Sequence, residues 1–239
     1  MAKIINIIQA RMGSTRFPGK MLANLHGSPV IDWVVKRSLC SKYVDSTYLA
    51  TSILDRDNPL ANRVEGLCEV YRGSESDVLS RYADITKKEK ADLVVRVCGD
   101  RPLVDSVLID QAVEFMLKNV DVDLAYNHIS GGCELWPRGF GVEIIKAEHL
   151  IKMDSTLNDS YSREHVTPFI WQNPDRFNLV ALLCPKQLDC GIPDIECDLD
   201  TKEDLKLIES ISDSLGMYAD AQAYFENWKK QFLKNYHAT

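Results

Sequence analysis

Short apolar runs alternate with segments of helical periodicity along the first two thirds of this 239-residue chain. Strands are predicted over residues 4–8, 47–51, 69–71, 93–97 and 122–125. Helices are predicted between them, over residues 30–40, 59–68, 77–88 and 107–119. Repeated strand–helix units of this length indicate an α/β fold, in which a doubly wound, mostly parallel sheet carries helices on both faces.

The last third of the chain is less regular. The elements predicted here are a long loop at residues 128–139, strands at residues 142–145 and 177–183, and helices at residues 201–215 and 218–236. Long loops inside a compact domain are often substrate lids or partner surfaces. We therefore predict a single domain over residues 1–239, with an embedded loop-rich region around residues 127–176.

Composition argues against several classes of protein. The formal net charge of -7 disfavours a sequence-independent nucleic-acid binder, which needs a basic face. The apolar stretches are far shorter than the roughly 20 residues that cross a membrane. The chain starts as a strand rather than as a signal peptide, so a cytoplasmic location is expected. The 7 cysteines are odd in number and lack CxxC spacing, which disfavours a disulfide framework or structural zinc.

The segment from Gln9 to Lys20 follows the first predicted strand directly. It combines the cations Arg11, Arg16 and Lys20 with two hydroxyls and two glycines. Glycines let backbone N–H groups approach an anion, and the cations neutralise it. No Ser or Thr follows Lys20, so the spacing is not that of a P-loop. Because parallel sheets bind ligands at the carboxyl ends of their strands, this position favours a polyphosphate site over an ordinary turn with surface cations.

Two acidic positions suit the divalent cation that a polyphosphate site normally requires. Asp100 follows a predicted central strand, and no helix begins directly after it. A metal-ligand role is therefore favoured for Asp100. Asp200 opens the helix predicted over residues 201–215, where helix capping and a favourable dipole interaction are the alternative explanation.

Arg163, Glu164 and His165 are consecutive at a predicted helix start. They form either the solvated first turn of that helix or a polar platform for an anionic or hydroxylated acceptor. The sequence names no partner for His165, so the residues alone favour the solvated turn over a general base.

Six blocks of sequence, in order and spacing, point to a family. They are IIQARMGSTRFPGK at 7–20, ATS at 50–52, YRGS with DVL at 71–79, GDRPL at 99–103, SREHVTP at 162–168 and LDTKEDL at 199–205. Together they resemble the cytidylyltransferases that activate acidic sugars. These include the acylneuraminate and 3-deoxy-manno-octulosonate enzymes and, above all, the spore-coat polysaccharide type.

The resemblance implies that an acceptor oxygen attacks the α-phosphorus of CTP and that pyrophosphate leaves. The residues that it implies for the triphosphate are Arg11, Gly13, Ser14, Arg16 and Lys20. Those implied for the nucleoside are Ala50, Thr51, Ser52, Arg72, Gly73 and Ser74, with Asp77 nearby. Magnesium would be held by Asp100 and Asp200. Those implied for the acceptor are Glu143, Arg163, Glu164 and His165. The cations Arg11 and Lys20, with Asp100, become the predicted catalytic residues.

The chain departs from the family pattern at Arg101, Arg138 and Lys202. Arg101 and Arg138, together with Arg163, predict extra positive charge that would suit an acceptor carrying a carboxylate, phosphonate or phosphate. The alternatives are transfer to a sugar 1-phosphate with another nucleotide, a nucleotide-sugar-dependent glycosyltransferase, and a catalytically silent module. Members of the family are often dimers, so a homodimer is expected, with the irregular loop at residues 127–141 as a dimer contact and the region around residues 127–176 as the acceptor and dimerisation region.

Overall fold

The computed structural model of the chain describes residues 1–127, 136–186, 188 and 196–236. The strands in these residues are β1 (Ile4–Gln9), β2 (Asn24–Leu25), β3 (Ser28–Pro29), β4 (Ser46–Ser52), β5 (Glu69–Gly73), β6 (Leu93–Cys98), β7 (Leu124–Tyr126), β8 (Glu143–Lys146) and β9 (Leu179–Ala181). The helices are α1 (Val30–Ser38), α2 (Asn58–Val64), α3 (Val78–Glu89), α4 (Ser106–Lys118), α5 (Ala147–Thr156), α6 (Ser160–His165), α7 (Pro168–Trp171), α8 (Lys202–Ser212) and α9 (Ala221–Tyr236).

The main sheet has seven strands in the order β5-β4-β1-β6-β8-β7-β9. The strands β5, β4, β1 and β6 pair in parallel, as do β7 and β9. The strand β8 pairs antiparallel with both of its neighbours, β6 and β7. A separate hairpin is formed by β2 and β3. The predicted doubly wound, mostly parallel sheet is confirmed, with β8 as the antiparallel exception within the described residues.

The side chains of β1 pack against helices on both faces of the sheet. Successive side chains of a strand point to opposite faces of the sheet. Ile4 and Ile8 pack in a cluster with α1, α2 and α4. Ile5 and Ile7 pack in a second cluster with α3 and α5. Because both faces are covered, β1 is an almost continuous apolar run, as is usual for buried parallel strands.

The helices α8 and α9 pack on a third apolar cluster beside α1. Arg37 of α1 ties the start of α9 to the domain and is almost fully buried. Its guanidinium donates to the carbonyls of Val104, Met217 and Ala219 at 2.5–2.7 Å. The C-terminal helices are therefore held by a buried polar clamp as well as by apolar contact.

The structure corrects two predictions in the last third of the chain. The region around residues 127–176 is not loop-rich where it is described, because it contains β8 and the helices α5 to α7. Residues 128–135 of the predicted loop lie outside the described residues. The side chains of Leu150 and Met153 give α5 a buried face against the cluster of α3.

The second correction concerns the position of residues 163–165. They lie at the end of α6, not at its start. The cap is Asp159, whose carboxylate accepts from the N–H of Ser162 at 2.8 Å, and the helix ends at Val166 with a φ of 71°. In the described part of the chain, none of the helices has the length and apolarity needed to cross a bilayer.

Candidate active site

A cleft of about 410 Å³ opens where β1 and β6 end, at the carboxyl edge of the parallel strands. This volume lies in the range typical of small-molecule sites. The predicted residues that line it are Arg11, Gly13, Ser14, Arg16, Lys20, Asp100, Glu164, His165 and Asp200. Further lining residues, which the sequence does not single out, include Gln9, Val78, Arg81 and Cys98.

The cationic loop is anchored at its start by Asp57, which is fully buried. One oxygen of this carboxylate accepts from the N–H of Met12 at 2.7 Å, and the other accepts from the hydroxyl of Ser52. At the far end of the loop, Gly19 has a φ of 76°, which glycine adopts without steric cost. The loop is thus held to the end of β4 before any ligand binds.

Lys20 joins the two predicted metal ligands. Its ammonium group lies 3.1 Å from a carboxylate oxygen of Asp100 and 3.1 Å from one of Asp200. It also donates to the carbonyl of Leu199 at 2.7 Å. Lys20 is only 8% exposed, whereas both carboxylate side chains are about one third exposed. The two acidic residues therefore share one buried cation and keep part of their oxygen surface open to the cleft.

The other two cations of the loop are also paired. Arg11 donates to Glu164 at 3.0 Å across the cleft, and Arg16 lies 2.8 Å from Asp200. All three cations thus face carboxylates of the same cleft. A polyphosphate would compete with those carboxylates for the cations, which already lie where they could contact an anion in the cleft.

Arg81 of α3 is the cationic lining residue that the sequence analysis misses. It is 2% exposed, its Nη1 donates to the carbonyl of Ala50 at 2.8 Å, and its buried Nε has no hydrogen-bond partner. No ion pair of Arg81 is found within the described residues. Burial is the main cause that lowers the pKa of Arg81, and the charge of Arg11 lowers it further. The sequence signal for Arg81 is its helical spacing, because it lies on the same face of α3 as the buried residues Val78 and Ile85.

The floor of the cleft also includes the Cys98 thiol at the end of β6. Burial raises the pKa of this thiol, so Cys98 is protonated at neutral pH and contributes no negative charge. The charged groups that line the cleft are therefore four cations and three carboxylates, in a protein whose net charge is -7.

The residues predicted for the nucleoside lie outside this lining. They are Ala50, Thr51, Ser52, Arg72, Gly73, Ser74 and Asp77. Several of them build the wall behind it. Arg72 donates to the carbonyls of Ser52 and Leu54, and Asp77 caps α3 by accepting from the N–H of Ser80 at 3.0 Å. A Cβ at position 73 would lie 2.7 Å from a side-chain carbon of Arg81, so glycine at this position leaves room for the Arg81 side chain.

Two of the four residues predicted for the acceptor also lie elsewhere. Glu143 is 1% exposed and pairs with buried Arg96 at 2.9 Å. Burial is the largest single effect and lowers the pKa of Arg96, but the attraction of Glu143, Cys98 and Tyr82 and the hydrogen bond to Glu143 together outweigh it, so the net shift is upward. Arg163 binds Asp77 at 2.7 Å and Asp154 at 2.9 Å, which ties α6 to α3 and α5. Glu164 and His165, the other two residues predicted for the acceptor, line the cleft.

The predicted excess of positive charge from three arginines is wrong, because each of them pairs with acidic residues. Arg101 binds Asp198 at 3.0 Å, and Arg138 binds Glu196. Arg163 has the two partners given above. None of the three lies in the lining of the cleft within the described residues.

The carboxylates of the cleft are the groups that could bind a metal ion. Among the described residues, no three His, Cys, Asp or Glu side chains come together as a metal site. The cleft instead offers the pair Asp100 and Asp200. Magnesium usually binds one or two carboxylates and completes its shell with water and substrate phosphates. The pair therefore fits magnesium that arrives with a nucleotide, and it does not fit a cage built by the protein alone.

Comparisons with known proteins agree with the geometry. A family model described as Cytidylyltransferase matches residues 5–231. The spore coat polysaccharide biosynthesis protein SpsF of Bacillus subtilis is 33% identical over 230 residues, which cover 93% of this chain and 92% of that protein. An uncharacterized protein of Methanocaldococcus jannaschii is 36% identical over 206 residues, which cover 86% of this chain and 81% of that protein.

A solved structure is also similar over almost the whole chain. It is a cytidylyltransferase from Leptospira borgpetersenii, with a TM-score of 0.86 and 28% identity, covering 98% of this chain and 95% of that chain. These similarities confirm the resemblance that the six sequence blocks indicate.

Proposed function

The chain belongs to the cytidylyltransferase family and is a CTP-dependent nucleotidyltransferase, and we propose that it transfers CMP to an anionic acceptor with release of pyrophosphate. The proposed acceptor is a nonulosonic or ulosonic acid, or a phosphonate. The observation that carries the proposal is the position of Lys20, which lies between Asp100 and Asp200 beside the other cations of the loop. Groups for a triphosphate and groups for its metal thus meet in one cleft.

In the proposed reaction, an oxygen of the acceptor attacks the α-phosphorus of CTP. The bond from that phosphorus to the oxygen that bridges to the β-phosphate breaks, and pyrophosphate leaves with the bonding electrons. Such displacements depend mainly on positioning and on neutralising the developing charge. Arg11, Arg16 and Lys20 would exchange their carboxylate partners for phosphate oxygens, and Arg81 adds a further buried cation at the same cleft.

Magnesium is part of the proposal, with Asp100 and Asp200 as its protein ligands. When bound, it would neutralise phosphate charge and orient the α-phosphate for attack. The chain's own contribution is to hold the two carboxylates together around Lys20 and to keep them partly exposed.

The acceptor is proposed to bind on the side of the cleft formed by the end of α6. Glu164 and His165 are the residues of α6 that line the cleft. His165 is exposed and lies against Tyr161, with ring centroids 4.6 Å apart. An anionic acceptor is favoured because the six sequence blocks resemble those of cytidylyltransferases that activate acidic sugars.

A panel of reactions tests the proposal. The protein is incubated with each nucleoside triphosphate, magnesium and single acceptors from three groups: ulosonic acids, phosphonates and sugar 1-phosphates. We expect pyrophosphate release with CTP and an anionic acceptor, and a CMP-conjugate in the mass spectrum. Release only with another nucleotide and a sugar 1-phosphate would contradict the proposed acceptor. In a parallel incubation, a nucleotide sugar replaces the nucleoside triphosphate, and its consumption without pyrophosphate release would identify a glycosyltransferase instead.

The expected homodimer stays a prediction of the sequence. Residues 128–135 of the loop predicted to form a dimer contact lie outside the described residues.

A further inference from the structure

We propose that Arg101 is a positioning residue that sets the placement of Asp200 relative to Asp100. The inference rests on the proposed function, in which these two carboxylates hold the metal. Arg101 does not line the cleft. It acts through the chain segment of residues 196–200, which carries Asp200 to the end of β6.

Among the described residues, two polar contacts join this segment to the chain just after β6, and a third joins Arg101 to the segment before β8. The Nε of Arg101 donates to Asp198 at 3.0 Å, and its Nη1 donates to the carbonyl of Gly141 at 2.8 Å. In addition, the N–H of Leu199 donates to the carbonyl of Asp100 at 2.8 Å. Arg101 therefore crosslinks the segment before α8 to the segment before β8, directly behind Asp100.

On its other side Asp200 is held by a helix cap. Thr201 and Asp204 form a capping box at the start of α8. The N–H of Asp200 itself donates to Asp204 at 2.8 Å. The cap fixes the direction of the chain after Asp200, and Arg101 fixes the chain before it.

The carboxylates of Asp100 and Asp200 repel each other, so something must hold their two chain segments together. Lys20 offsets the repulsion while it lies between them, but in the proposed reaction it turns to the triphosphate. The contacts of Arg101 do not depend on the ligand. Magnesium tolerates little deviation from octahedral geometry, so a small displacement of Asp200 would weaken it strongly. Contacts that orient metal ligands typically contribute about 10- to 100-fold to metal affinity.

The chain offers a matched control in Arg138. It pairs with Glu196 at the other end of the same segment. Both side chains of that pair are more than half exposed, and exposed ion pairs contribute little. Replacement of Arg138 removes a guanidinium and an ion pair from the segment without touching the contacts next to Asp200.

The experiment measures Mn²⁺ binding by electron paramagnetic resonance, with and without CTP and in the absence of an acceptor. For Arg101→Met in the presence of CTP, we expect the Mn²⁺ dissociation constant to rise about tenfold or more. For Arg138→Met it should stay within about twofold of the value for the unmodified protein.

Asp198→Asn should weaken Mn²⁺ binding as well. The double variant Arg101→Met/Asp198→Asn should bind Mn²⁺ no more weakly than Arg101→Met, because both changes remove the same interaction. Arg101→Lys should recover only part of the affinity, since one ammonium cannot reproduce the two fixed directions of a guanidinium.

Equal Mn²⁺ affinities for Arg101→Met and Arg138→Met, both folded by circular dichroism, would overturn the positioning role. If Arg101→Met does not fold, Asp198→Asn and Arg101→Lys decide the question by the same comparison. Failure of the proposed function has a different signature, in which the unmodified protein binds no Mn²⁺ with CTP and releases no pyrophosphate.

Discussion

Gly99 shows how closely the backbone segments approach at the floor of the cleft. A Cβ at this position would lie 2.6 Å from the Cβ of Ala10 and 3.1 Å from the carbonyl oxygen of Gln9. The N–H of Gly99 donates to that same carbonyl at 2.8 Å. The end of β6 can therefore pass the end of β1 only because position 99 has no side chain. Asp100 is the next residue, so the close contact that requires glycine at position 99 also determines where the Asp100 carboxylate lies.

Gly99→Ala should separate these two strand ends. We expect the free energy of unfolding to fall by about 1–3 kcal/mol, the usual cost of an overpacked site. We also expect kcat/KM for CTP to fall, because Asp100 moves with the backbone. Urea denaturation and pyrophosphate release measure the two effects. The double variant Ala10→Gly/Gly99→Ala returns space to the site and should recover most of the loss. A fully active, fully stable Gly99→Ala would refute the close-packed floor.

At the scale of elements, α1 connects the sheet to the C-terminal helices through Arg37. The guanidinium is buried among carbonyl groups and lies 4.9 Å from the ring centre of Tyr224. Burial is the main cause that lowers the pKa of Arg37. A buried cation is tolerated only where its N–H groups have hydrogen-bond acceptors. The N–H groups of Arg37 donate to carbonyl groups of several chain segments.

Arg37→Met should leave these carbonyls without a donor. Buried groups that lose a charged partner typically cost on the order of 3 kcal/mol of stability. Lys118→Met is a suitable control, because Lys118 is exposed and pairs only with Glu114 among the described residues. That control should lose less than about 0.5 kcal/mol. Denaturant unfolding of both variants makes the comparison, and equal losses would show that Arg37 is not a clamp.

The elements differ in how well the sequence predicts them. β1 and β6 are mostly apolar runs, and β4 carries Thr and Tyr, which favour strands. Their predicted positions agree with the structure to within one residue. The helix α5 was missed because its buried face depends on α3, which packs against it only in the fold. Within the site, the sequence blocks identified Lys20, Asp100 and Asp200. The partners of Arg101 could not be predicted, because the fold brings Asp198 and Gly141 together from distant segments.

At the scale of the whole molecule, the charges form internal pairs that depend on ionised carboxylates. Asp32 of α1 is fully buried and pairs with two cations. Its contact with Arg63 joins α1 to α2, and its contact with Lys36 lies within α1, four residues further along. Burial is the largest single effect and raises the pKa of Asp32, but the hydrogen bonds and positive charges of Arg63 and Lys36 together lower it by more, so the net shift is downward. The pKa of Asp154 is also lowered, because the contacts of Lys87 and Arg163 outweigh its burial.

A carboxyl whose pKa is lower in the folded state stabilises the fold above its unfolded pKa of about 3.9. That stability is lost as the pH falls through the folded pKa. Asp32→Asn should therefore be less stable than the unmodified protein by about 2 kcal/mol at pH 7. The difference should shrink as the pH falls below the unfolded pKa of about 3.9 and then through the lower folded pKa. Urea denaturation at pH 7 and at a pH below this window measures the difference. An equal difference at the two pH values would show that the charge of Asp32 does not contribute.

We propose that Lys20 and its two carboxylates form the catalytic centre for transfer from CTP. Pyrophosphate release by the unmodified protein and by Lys20→Ala, with CTP, magnesium and the best acceptor, tests this directly. We expect Lys20→Ala to keep its fold by circular dichroism and to lose turnover by about 100-fold or more. A folded Lys20→Ala protein that releases pyrophosphate at the unmodified rate would contradict it.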